Sequence, residues 1–104
     1  MSWKPITKEE LERELEAQCD DLSPEEMRYF SSIRVPLESV KIDRNGSIEN
    51  VYIVARQQQI VIFYEDVEEG FEITKLNSQG VIDEYGANQF TIRHVINQLR
   101  ARNS

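Results

Sequence analysis

Ile60-Val61-Ile62-Phe63-Tyr64 is the longest apolar run in the chain, and it is apolar at odd and even positions alike. Side chains alternate between the two faces of a sheet, so a half-buried strand alternates apolar with polar residues. A run without alternation predicts cover on both faces. Helices account for one face. The other face needs a further helix, a second copy of the chain, a partner or a ligand.

Outward from this run, the period of two extends from Leu37 to Tyr85 and is broken by turn chemistry. Asn45-Gly46 is a strong hairpin signal, because both central residues of a type I′ turn need positive φ. Gln57-Gln58, Glu68-Glu69-Gly70 and Asn77-Ser78-Gln79-Gly80 divide the rest, giving five strands as an antiparallel meander. With two-residue turns at Asn45-Gly46 and Gln57-Gln58, Val40, Ile42, Val51, Ile53, Ala55, Ile60, Ile62 and Tyr64 share one face. Ile48, Tyr52, Val54, Val61 and Phe63 share the other. The first set is the better core, which leaves Tyr52, Val54, Val61 and Phe63 as an apolar patch for internal cover, a homodimer contact or a partner.

Helices flank the sheet. Thr7-Lys8-Glu9-Glu10 has the form of a capping box, and Leu11, Leu15 and Leu22 follow at helical spacing opposite Glu9, Glu12, Glu16 and Asp20. Ser23-Pro24-Glu25-Glu26 repeats the signal with Pro at the first helical position, before Met27, Phe30 and Ile33. Val35-Pro36 ends that helix. After Gly86, Asn88 is an N-cap for a last helix burying Phe90, Ile92, Val95, Ile96 and Leu99. The predicted fold is α+β, one domain over 1–104, with two N-terminal helices, a five-stranded antiparallel meander and a C-terminal helix packed on the sheet.

This order of elements resembles the frataxin family, in which an acidic first helix and the first strand engage iron and the cluster-assembly machinery. That family carries a tryptophan on its sheet, followed by a glycine-containing motif. Here Trp3 precedes the first helix and Tyr29 to Val35 add an element, so no functional residue is transferred.

Charge narrows the function. Nineteen acidic residues against twelve basic ones give a net charge of −7, which repels a phosphate backbone. Only the last fourteen residues are basic, with Arg93, Arg100 and Arg102 complementing a helix C-terminus. Nucleic acid and membrane are not expected partners: there is neither a signal-peptide core nor an apolar stretch of spanning length. Cys19, the only cysteine, forms no intrachain disulfide, which suits a cytoplasmic setting. His94 is the only histidine, so a two-histidine metal site is excluded within one chain. No phosphate-binding loop, dinucleotide fingerprint or nucleophile elbow is present, and neither metal nor cofactor is expected.

The leading reading is a small acidic, non-enzymatic binding protein, of the kind represented by immunity and antitoxin-type inhibitors or adaptors, engaging a basic protein partner. Its candidate partner-binding residues are Tyr52, Val54, Val61, Phe63, Glu65, Asp66, Glu68 and Glu69, with carboxylates for steering and aromatic residues for anchoring. An alternative is a small-molecule domain for apolar or cationic ligands, with a pocket lined by Tyr64, Tyr85 and Phe90. A third is a small enzyme using His94 with a carboxylate such as Glu84.

Overall fold

The computed structural model describes residues 6–86 and 89–102. The elements run α1 (Lys8–Cys19), α2 (Pro24–Ile33), β1 (Arg34–Arg44), β2 (Ser47–Gln57), β3 (Ile60–Glu65), β4 (Gly70–Lys75), β5 (Val81–Ile82) and α3 (Ile92–Arg102). The fold is α+β, with three helices and one five-stranded sheet.

Both predicted capping boxes form. Thr7 accepts from the Glu10 amide while Glu10 accepts from that of Thr7, and Ser23 and Glu26 repeat the exchange. These reciprocal bonds satisfy amide donors that the first helical turn leaves without intrahelical partners. Leu11 and Leu15 of α1 are fully buried, as are Phe30 of α2 and Ile92, Val95 and Ile96 of α3. Met27, by contrast, is only half-buried. The expected Asn88 cap lies outside the described residues, as does Trp3. The hydroxyl of Thr91 accepts from the His94 amide, and the side chain of Gln18 accepts from the Ile92 amide at 2.7 Å. The end of α1 thus caps the start of α3.

Strand order is β4-β3-β2-β1-β5. Four strands pair antiparallel, but β5 pairs parallel with β1, matching Lys41 with Val81 and Ile42 with Ile82. The sheet is therefore mixed, and the expected meander holds only through β4. The turn at Asn77 forms as expected but redirects the chain instead of making a hairpin. The Asn77 side chain accepts from the Gln79 and Val81 amides, and the Asn77 amide donates to the Val81 carbonyl at 3.0 Å. The chain then passes to the free edge of β1. The sheet curls far enough for the Thr74 hydroxyl on β4 to donate to the Glu84 carbonyl just beyond β5.

That curl answers the question posed by Ile60 to Tyr64. On the helical side, Val54, Ala55, Ile62, Tyr64 and Phe71 pack with the buried residues of all three helices. On the other side, Ile42, Val51, Ile53, Val61, Phe63, Leu76 and Ile82 form a second cluster. The crossover segment and β5 supply its cover. Neither a helix nor a second copy is needed there.

Face assignments change accordingly. Asn45 and Gly46 have φ of 57° and 94°, with Arg44 opposite Ser47, as a two-residue turn requires. The next turn is Gln58-Gln59, not Gln57-Gln58, because Gln57 pairs with Ile60. Moving a two-residue turn by one residue shifts the pairing by two, so that Ala55 faces Ile62 instead of Ile60, and Ala55, Ile60, Ile62 and Tyr64 stay together on the helical face with Val61 and Phe63 on the other. A bulge between Ile53 and Ala55 is what overturns the expected faces, placing Ile53, Val51 and Ile42 on the face of Val61 and Phe63. Tyr52 and Val54 consequently lie with the helices. The predicted patch of Tyr52, Val54, Val61 and Phe63 is split across the sheet, and all but Tyr52 are fully buried.

Glu26 ties two helices together. Its carboxylate accepts from the Ser23 amide at 2.8 Å, from the Asn97 side chain at 2.7 Å and from Arg93 Nε at 3.2 Å. The Ser23 amide, followed by Asn97, lowers its pKa from 4.5 to about 2. A depressed carboxylate stabilises the fold above its unfolded pKa, and that contribution is lost as pH falls through the folded value. Glu26→Gln should therefore flatten the dependence of Tm on pH between 4.5 and 2. Parallel acid-unfolding curves for the variant and the parent would contradict this role.

Candidate functional site

Arg44 ends β1 and points to the same face as Ile42, one turn of the pleat beyond it. From there its guanidinium spans β2 to Glu65, the last residue of β3. The pair is bidentate, with N–O distances of 3.0 and 2.6 Å, and Glu65 is 1% exposed. Glu49 on β2 lies 3.4 Å from Arg44 Nε, and Asp66 lies 4.0 Å from a terminal nitrogen. The Tyr85 ring completes the surround, its centroid 5.3 Å from the guanidinium carbon. The two hydrogen bonds that Arg44 donates to Glu65 are the main reason that the Arg44 pKa is raised. Burial pushes the Asp66 carboxyl upward, and the Glu65 charge adds to that push. Three carboxylates thus converge on one cation.

On the outer side of this cluster opens a groove of about 410 Å³, lined by Ile6, Ser39, Glu49, Asn50, Val51, Tyr52, Tyr64 and Asp66. A second cavity continues from Ile6 and Tyr64 to Glu10, Arg13 and Glu14 of α1. Tyr64 is held by an edge contact to Phe71, with ring centroids 5.2 Å apart. Burial raises its phenol pKa, as do the charges of Glu69, Glu14 and Asp66. The tyrosine therefore stands in a negative field drawn from three parts of the chain.

Few of the predicted site residues meet here. Tyr52, Tyr64 and Asp66 line the groove, whereas Glu65 does not line it and pairs with Arg44. Val54, Val61 and Phe63 are inside the domain. Glu68 is half-buried and Glu69 exposed on the β3–β4 turn. The acidic stretch 65–69 is thus no uniformly solvated tip, since its first two residues are buried beside Arg44. The alternative pocket does not assemble: Tyr64 and Tyr85 belong to opposite clusters, while Phe90 pairs with Phe71 and stacks on His94 at 4.1 Å. His94 is exposed on α3, and Glu84 sits at the sheet closure with its carbonyl bound to Thr74. Burial raises the Cys19 thiol pKa, which disfavours thiolate chemistry.

Arg44, Glu49 and Ile6 are site residues that the motif reading missed. Arg44 was within reach of period-two alternation, since it shares the inward face of Val40 and Ile42. A cation in that position requires a buried counter-charge. Among the described residues no group of three His, Cys, Asp or Glu side chains is arranged to hold a metal ion, and no helix is long and apolar enough to cross a membrane. Comparison with protein-family models, curated proteins and solved structures gave no match.

Proposed function

We propose that this chain is a non-enzymatic binding protein that engages a basic protein partner. The observation that carries this reading is the placement of its carboxylates. Of nineteen acidic residues, only Glu26, Glu65, Asp66 and Glu72 are buried. The outward side of α1 presents Glu9, Glu12 and Glu16, none of them in an ion pair among the described residues. Arg34 is the base that shares a cavity with Glu12 and Glu16. A surface so weighted to one sign attracts a positive partner at a rate that falls with ionic strength.

The test compares the parent with a Glu9→Lys, Glu12→Lys, Glu16→Lys variant, each immobilised and exposed to host extract at low salt. The parent should retain basic proteins that physiological salt releases, and the variant should retain little of them. Equal retention on both surfaces, or retention indifferent to salt, would remove α1 as the steering surface.

A further inference from the structure

We propose that the groove between Ile6, Tyr52 and Tyr64 receives an arginine side chain presented by the basic partner, a step that rests on the reading above. The charge around the groove is unbalanced. Among the described residues, three carboxylates, Glu49, Glu65 and Asp66, lie within 4.0 Å of one cation, Arg44. Glu49 and Asp66 also line the groove on their outer side. Beyond Tyr64, Glu10 and Glu14 outnumber Arg13. A cation entering the groove would lie between these two acidic groups.

The walls favour a guanidinium over an ammonium. Tyr52 and Tyr64 line the groove as aromatic residues, and Ile6 offers apolar surface for an aliphatic stem. Guanidinium is planar, more weakly hydrated than ammonium and able to bridge carboxylates with a fork of N–H donors. The protein already uses this chemistry on the inner side of the same cluster. There Arg44 is gripped by Glu65 through two bonds and lies over Tyr85. The incoming arginine would repeat that arrangement from outside, with Tyr52 and Tyr64 as its rings and Asp66 and Glu49 as its acceptors.

The experiment is an amide-resolved NMR titration of the full chain with three blocked tripeptides, Gly-Arg-Gly, Gly-Lys-Gly and Gly-citrulline-Gly. Citrulline keeps the shape of arginine and removes its charge. The arginine peptide should shift Ile6, Asn50, Tyr52 and Asp66 and bind most tightly, with citrulline at least about tenfold weaker, as loss of one charge-assisted contact implies. Tyr52→Leu and Glu49→Gln should each weaken the arginine peptide by a few-fold up to about tenfold, while Tyr52→Phe, which keeps the ring, should bind like the parent. The spectra themselves report whether each variant is folded. Equal binding of citrulline would make the groove an apolar site and overturn the proposal, and equal binding of lysine would remove the guanidinium preference. Shifts confined to α1 around Glu9, Glu12 and Glu16 would overturn the groove while leaving the basic-partner reading intact.

Discussion

Replacing Arg44 with methionine is expected to destabilise the fold by about 3–5 kcal/mol, because it leaves Glu65 buried without its counter-charge. Glu65 has almost no contact with water, and its two carboxylate oxygens accept both terminal nitrogens of Arg44. What remains is the Val67 amide, which donates to one of those oxygens at 3.2 Å. Asp66 and Glu49, deprived of the same cation, would add repulsion. The loss should be read as a lower urea midpoint with an unchanged slope, which distinguishes weakened stability from a changed unfolded state. Arg44→Lys should fall between parent and Met, since it retains charge but not the bidentate fork. Joint replacement of Arg44 by methionine and Glu65 by leucine should recover most of the loss, since removing both partners of a buried pair is often close to neutral. A single methionine variant within about 1 kcal/mol of the parent, the range of exposed pairs, would show that water solvates this cluster.

The fate of Arg44 also shows where sequence reading stopped. Helix starts were legible because capping is local: Thr7 and Glu10, and Ser23 and Glu26, are three residues apart and carry their own chemistry. The Asn45-Gly46 turn was legible for the same reason, because few residue pairs tolerate two positive φ angles. Cover on both faces of Ile60 to Tyr64 followed from the absence of alternation. What failed was register. Gln57, Gln58 and Gln59 are chemically identical, so nothing local chose Gln58-Gln59 as the turn, where Gln58 takes φ of 58°. Ile53, Val54 and Ala55 are all apolar, so the bulge there left no trace in the pattern either. The turn error moved the pairing of β2 and β3 by two residues and kept their faces, whereas the bulge, one residue long, exchanged the faces of β1 and most of β2 relative to β3. The parallel pairing of β5 was hidden for another reason. It follows from the curl of the whole sheet, which brings the edge of β1 to the end of the crossover. The candidate groove inherited that difficulty, since its lining comes from the segment before α1, from β1, β2 and β3, and from the β3–β4 turn.

Gly70→Ala is the second substitution expected to have a large effect, about 3 kcal/mol or more, the upper range for forcing atoms into packed structure. The sequence marks Gly70 as a turn residue, but its place in the structure is a close approach of two backbones. A Cβ there would lie 2.4 Å from the Gln89 Cα, 2.7 Å from its carbonyl carbon and 2.9 Å from the Phe90 nitrogen. No side-chain rotation relieves contacts with main-chain atoms, so the segment leading to α3 must move. That segment is held by the Phe71 amide, which donates to the Phe90 carbonyl at 2.9 Å. Beyond it, Ile92, Val95, Ile96 and Leu99 close the helical side of the core. Separation at Gly70 would therefore loosen α3 before the sheet, and hydrogen exchange should show faster exchange at the Phe71 amide and along α3 than in β2 and β3. Gly46→Ala is the informative comparison: φ is 94° with open space around the position, so only backbone strain of roughly 1–2 kcal/mol is expected. Equal losses at Gly46 and Gly70 would mean that the 89–90 segment yields freely, and that the bond from Phe71 to Phe90 does little to hold α3 on the sheet.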